Sequence, residues 1–220
     1  MKIFLILLLS FSIYAQFKEN DILIKTINTD DYIITENKKQ YSNDKKLLCE
    51  VTYLEFKSNF ENIDKEINEL VNNSECPSLK EEENIIMDIS SHYQFHYDLI
   101  LNSFKNYVSL LVIYYEYTGG AHGNTTSKSF NYKIENRKAL KINSLFDFYK
   151  DDKITSIDSF IKEIYKKNES CVNKEAKKLL KKEEAYKIWN IKNDNILILY
   201  FDPYIIAPYY CGRIEVFITK

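Results

Sequence analysis

The chain carries 220 residues, 45% hydrophobic and 15% aromatic, with 30 Lys plus Arg against 32 Asp plus Glu for a formal net charge of −2. Lysines and carboxylates are interleaved and the only arginines are Arg137 and Arg213, so the basic stripe of a nucleic-acid binder is missing. The length suits one sizeable core or two small subdomains sharing one.

Residues 1–15 read as a secretory leader: Lys2 is a minimal charged start, residues 3–13 are apolar, and Ala15 precedes a cut at Gln16. The alternative reading is an apolar amino-terminal core strand. The run is too short for a membrane helix, which needs about 20 apolar residues, and later hydrophobic runs are broken by charge or turn residues. The expected location is periplasmic or secreted. Cleavage would remove Lys2 and leave about 205 residues at a charge near −3 (220 − 15 residues; −2 − 1 charge). Cys49, Cys76, Cys171 and Cys211 all follow the leader, an even number in a compartment that permits bridges. Three pairings are possible, and Cys49–Cys76 with Cys171–Cys211 keeps each bridge in one half of the chain. No C-x-x-C spacing favours a metal.

Short strands are predicted over 21–25 and 32–35 and a longer one over 46–56. A helix follows, with Ile63, Ile67, Leu70 and Val71 on one stripe. Over 89–101, Tyr93, Phe95, Tyr97, Leu99 and Leu101 alternate with His92, Gln94, His96 and Asp98, the period of a strand with one solvated face. That period argues against a metal pair at His92 and His96, which a strand holds about 13 Å apart. A turn over 102–106 leads into an apolar central strand over 107–117. Residues 118–126 turn the chain, and 127–134 return with Phe130, Tyr132 and Ile134 on one face. Another turn at 135–138 precedes a short strand at 139–142.

The period then becomes helical. Ile154, Ile157, Phe160, Ile161 and Ile164 form one stripe, and a second helix is expected over 174–187 with Ala176, Leu179 and Leu180 inward. That lysine-rich run, countered by Glu175, Glu183 and Glu184, reads as a solvated helix face. Strands over 196–201 and 214–219 close the chain. The expected fold is α+β, an antiparallel meander with helices packed on one side. Two subdomains are expected, 16–106 and 107–220.

Three of the four glycines, Gly119, Gly120 and Gly123, fall within five residues, and two of the three prolines, Pro203 and Pro208, bracket another short segment. Glycine marks a positive φ or a close approach, and proline fixes φ and removes a donor. Around His122 the functional reading is a backbone nest with the imidazole as polar contact or base; the structural one is a wide hairpin in which His122 bonds a neighbouring carbonyl. The spacing fits neither nucleotide motif. In the second segment Asp202 is read as a turn cap, while Tyr204, Ile205, Ile206, Tyr209 and Tyr210 either cover a sheet edge or face a partner.

The run Tyr114-Tyr115-Glu116-Tyr117-Thr118-Gly119-Gly120-Ala121-His122-Gly123-Asn124-Thr125 and the later Phe201-Asp202-Pro203-Tyr204-Ile205-Ile206-Ala207-Pro208-Tyr209 resemble a known family. So does Leu140-x-x-x-x-Leu145-Phe146 between them. It is the extracytoplasmic domain of RsiV-type anti-sigma factors, found also as the accessory domain of PdaC-type peptidoglycan deacetylases. The resemblance implies an α+β domain of the cell envelope and, from the RsiV side, lysozyme binding. It does not extend to RsiV's sigma-binding segment or to PdaC's catalytic domain. Cys211 stands where the family usually has a small residue, which adds a bridge with Cys171.

These features favour a non-enzymatic binding protein for lysozyme-type hydrolases or peptidoglycan. The contacts would be Gly119, Gly120, His122, Tyr204, Pro208, Tyr209 and Tyr210, with no cofactor. The competing expectations are a glycan-acting enzyme pairing His122 with Asp202 or Glu116, and a structural envelope protein. No G-x-S-x-G, H-E-x-x-H or Cys–His signature supports the enzyme.

Overall fold

The computed structural model describes residues 18–29, 32–43, 46–71, 93–148, 156–193 and 195–219. The expectations at residues 1–15, Cys76, His92 and Ile154 lie outside these. Three strands open the fold: β1 (Lys18–Asn28), β2 (Tyr32–Asn43) and β3 (Lys46–Ser58). After helix α1 (Glu61–Val71) come β4 (Tyr93–Phe104), β5 (Tyr107–Tyr117), β6 (Asn124–Glu135) and β7 (Lys138–Lys141). Then follow α2 (Leu145–Phe148), α3 (Ile157–Asn168), α4 (Ala176–Leu180), β8 (Trp189–Asn193), β9 (Ile196–Phe201) and β10 (Ile214–Thr219).

The α+β expectation holds. Strands β1 to β7 form one sheet in sequence order, and a second sheet has the order β10-β9-β8. All pairs in the large sheet are antiparallel except β3–β4, which meet in parallel over Cys49–Val51, as expected where a helical segment carries the chain back across the sheet. The 106/107 point falls in the tight turn between β4 and β5, which pair over their whole length. At the β6–β7 turn Asn136 and Arg137 both have positive φ, 50° and 62°, the geometry that matches strand twist.

Helix α1 lays Ile63, Ile67 and Val71 onto Leu54, Phe56, Leu110, Val112 and Phe130. Burying each aliphatic contributes about 2 kcal/mol, and Asn68 pins the helix by exchanging two hydrogen bonds with the Phe56 backbone, 2.9 and 2.7 Å. The second core packs Phe160, Ile161 and Ile164 of α3 with Leu180, Trp189, Leu199, Phe201 and Val216. The predicted 174–187 helix is shorter. Helix α4 stops at Leu180, a 3-10 turn covers Glu183–Tyr186, and Leu179 is 36% exposed rather than inward. At the break the buried Tyr186 hydroxyl donates to the Leu180 carbonyl at 2.7 Å, satisfying an acceptor that the ended helix leaves open.

The opposite face of the large sheet meets the small sheet through Leu111, Ile198 and Tyr200. A buried polar seam fixes their register. Ser109 Oγ donates to Asn131 Oδ1 at 2.5 Å and accepts from the Ile191 N–H at 2.9 Å, while Asn131 Nδ2 donates to the Trp189 carbonyl at 2.9 Å. Every buried group in that chain is paired, as a dry interior demands.

Candidate functional site

The β5–β6 connection, residues 118–123, owes its shape to its glycines. Gly119 and Gly120 lie in the left-handed region at φ 95° and 106°, and the Tyr117 hydroxyl donates to the Gly120 carbonyl at 3.0 Å. Gly123 is needed for proximity instead. A Cβ there would stand 2.4 Å from the Tyr115 ring and 2.6 Å from the Glu116 carbonyl oxygen. With that approach open, His122 turns outward, and its Nδ1 lies 3.0 Å from the Gly123 carbonyl. A carbonyl only accepts, so Nδ1 carries the proton and Nε2 of the neutral ring is an acceptor.

The β9–β10 connection, residues 202–213, is anchored along its length. Asp202 is buried, and its carboxylate accepts from the Ser127 N–H at 2.6 Å and the Ser127 hydroxyl at 2.5 Å. It is a cross-strand tether rather than the local side-chain cap expected. Ile206 and Ala207 sink into the second core, and the Asn173 N–H donates to the Ile206 carbonyl at 3.0 Å. Pro208 leads into a 3-10 turn over Tyr209–Cys211, closed by Gly212 at φ 66°. Cys211 is bridged to Cys171 with Cα atoms 6.0 Å apart, and Cys49 is buried and also disulfide-bonded.

The two loops meet. The Tyr204 hydroxyl donates to His122 Nε2 at 3.1 Å, the Tyr209 ring stacks on the imidazole at 3.9 Å, and Tyr204 and Tyr209 stack at 5.7 Å. Tyr204 reaches this position at φ 70°, a conformation costing about 1–2 kcal/mol for a side chain with a Cβ. Strain of that kind persists where surrounding contacts over-determine it. Tyr204 is 62% and Tyr210 81% exposed, with Ile205 exposed between them. Of the expected contacts, His122, Tyr204 and Tyr209 form one cluster, Tyr210 stands out beside it, and Gly119, Gly120 and Pro208 shape the backbone.

The cluster displays rings. It does not pair His122 with Asp202, because both Asp202 oxygens serve Ser127 and both His122 nitrogens serve a carbonyl and a phenol. No group of His, Cys, Asp and Glu able to hold a metal occurs among the described residues. An apolar pocket of about 230 Å³, lined by Phe56, Phe60, Ile63, Leu101 and Val108 among others, lies at the other end of β4 and β5.

Sequence reasoning missed Ser127, Tyr115 and Arg213. Ser127 acts through Asp202, 75 residues away, Arg213 reaches Asp98 on β4, and Tyr115 fits against Gly123 across a turn, pairings that local patterns do not encode. Arg213 bonds Glu215 at 2.8 Å, lies 5.3 Å from the Tyr200 ring and lowers the pKa of Asp98 electrostatically. His96 is paired with Asp98 at 3.1 Å. Its hydrogen bond to that carboxylate, against the opposing effect of burial, holds its pKa above the usual histidine value.

The PdaC matches point the same way as the motifs. The chain is 34% identical over 128 residues to the peptidoglycan-N-acetylmuramic acid deacetylase PdaC of Bacillus subtilis, a match covering 55% of this chain and 26% of that protein. It therefore spans about a quarter of that relative's length. Residues 146–220 match a family described as a protein of unknown function, DUF3298. A solved DUF3298 member from Bacteroides fragilis is 17% identical with a TM-score of 0.49, covering 93% of this chain and 91% of that one. One from Pseudomonas aeruginosa is 16% identical with a TM-score of 0.42, covering 93% and 89%. The family model described as deacetylase PdaC matches residues 12–125, just over half of the chain, and the protein belongs to that family.

Proposed function

We propose that this protein is a binding module of the bacterial cell envelope, exported through a leader at residues 1–15 and acting in the periplasm or outside the cell without catalysing a reaction. Its ligand is a lysozyme-type hydrolase or peptidoglycan itself, and its contact surface is the His122, Tyr204, Tyr209 and Tyr210 cluster, with Gly119, Gly120 and Pro208 setting the loop shapes. The observation that carries this reading is the convergence of the two family-marking loops into one exposed aromatic face. Exposed tyrosines on a pre-ordered backbone make effective anchors, since they add contact area at little entropic cost. The recognition loops fall in the 107–220 half proposed as a carboxy-terminal subdomain. The deacetylase activity named for the Bacillus relative belongs to a protein of which this chain spans 26%, and the engaged His122 and Asp202 give it no support here.

Isothermal titration of the mature protein against several lysozymes and purified sacculi tests the reading. Binding to at least one, lost in Tyr204→Ala and Tyr209→Ala, is the expected result. Wild-type protein that binds none of them, or variants that bind as tightly as wild type, would overturn it.

A further inference from the structure

The strand registers extend the aromatic face in one direction. His96, Tyr115 and Thr125 stand opposite one another on β4, β5 and β6, and Asp98, Ile113 and Ser127 form the next row on the same face. With strands about 4.8 Å apart, each row spans about 10 Å from β4 to β6. The Asp202–Arg213 connection relates through its ends to the two ends of the second row. Its first residue is tied to Ser127 on β6, and its last acts electrostatically on Asp98 on β4. Tyr115 fills the middle, its ring against the Gly123 backbone that sets His122. The β4 pair is open to solvent, with side-chain exposures of 38% for His96 and 63% for Asp98.

We infer that the recognition face continues from His122, Tyr204 and Tyr209 across Tyr115 to His96 and Asp98, and that its ligand is the saccharide of the envelope glycan. A sugar ring has an apolar C–H face and a rim of hydroxyls, so it suits an exposed aromatic platform flanked by planar polar side chains. Tyr204, Tyr209 and Tyr210 supply the platform. The His96–Asp98 pair supplies a ring N–H donor and carboxylate acceptors side by side, matching hydroxyls that both give and take hydrogen bonds. The span between the two parts exceeds one sugar ring, so the fitting ligand is an oligosaccharide. This inference rests on the envelope-binding reading above and narrows it.

The test is titration calorimetry of the mature protein with β-1,4-linked N-acetylglucosamine oligomers and with a lysozyme, using wild type, His96→Gln, Asp98→Asn and Tyr204→Ala. A hydrogen bond to a charged group contributes roughly 1.5–3 kcal/mol, so each β4 variant is expected to weaken oligosaccharide binding by about tenfold or more. Cooperative thermal unfolding close to that of wild type would verify that the variants fold. Oligosaccharide binding that falls in Tyr204→Ala but not in the β4 variants overturns the extended face and leaves the envelope-binding reading standing. Binding of lysozyme alone overturns the saccharide, again without touching that reading. Failure to bind either, together with failure on sacculi, removes both.

Discussion

Strand β1 and the 202–213 connection both put large apolar side chains into water, and they differ in what holds them. In β1 those side chains are Ile22, Leu23, Ile24 and Ile27; in the connection they are Tyr204, Ile205 and Tyr210. Among the described residues strand β1 is an edge strand, bonded to β2 along one side, with a bulge between Leu23 and Lys25. A bulge of that kind twists an edge away from further pairing. The connection is held by Asp202 on Ser127, Ile206 on Asn173, Tyr204 on His122 and Cys211 on Cys171. Exposed apolar area recognises a partner well only when its backbone is ordered beforehand, because ordering it on contact consumes the gain. The number of tethers, not the exposed area, therefore separates the proposed contact surface from a solvated edge.

The largest expected effect comes from cutting the covalent tether. Cys171 and Cys211 are 40 residues apart, and the chain-entropy relation puts the ceiling for a bridge of that span at about 4 kcal/mol. Cys171→Ser with Cys211→Ser should lower urea-unfolding stability toward that amount. A loss under about 1 kcal/mol would mean that the remaining contacts hold the loop by themselves. Next comes Asp202→Ala, which strands the buried Ser127 N–H and hydroxyl and should cost about 3 kcal/mol. Asp202→Asn keeps one acceptor and should lose about half as much.

Gly123→Ala is expected to cost about 1–3 kcal/mol, since the new Cβ would meet the Glu116 carbonyl oxygen, a backbone atom that cannot rotate aside. Chemical-shift changes at Tyr115 and His122 would report the displacement. Leu23→Lys is the contrasting case. Being 63% exposed on the edge strand, it should change stability by less than about 0.5 kcal/mol and leave ligand binding alone. A loss of binding there would erase the distinction between the two regions.

Periodicity made the architecture legible wherever one face was buried. The alternation around Phe95 and Tyr97, the stripe of Ile63, Ile67 and Val71, and the closing pair of strands all appear as expected, because burial imposes the pattern that the residues carry. Strand β8 escaped notice. Only five residues long, it takes its place from Ser109, Ser129 and Asn131, which are distant in sequence. The clustered glycines and prolines located both loops, since each marks a backbone constraint visible one residue at a time. Their meeting through His122 and Tyr204 was not visible, because a contact across 82 residues leaves no local trace.

A pH-dependent effect of similarly small size lies on β4 and tests whether the open His96–Asp98 pair stabilises the fold at all. The hydrogen bond from His96 outweighs burial and holds Asp98 below its ordinary value of 3.8, while the same bond holds His96 above 6.5. Glu36 also favours the imidazolium, Lys38 opposes it, and Arg213 favours the carboxylate. The histidine's contribution is complete below its unfolded pKa of about 6.5 and is lost as pH rises through the higher folded value. The aspartate's is complete above about 3.8 and is lost as pH falls through the lower folded value. The pair therefore stabilises most between about pH 4 and 6.5, by roughly 0.2–1 kcal/mol at this exposure. Unfolding of wild type and Asp98→Asn at pH 5.5 and 8.5 should show a larger gap at the lower pH. A gap that is equal at both would mean that solvent screens the pair, leaving its two side chains free to meet a ligand without cost to the fold.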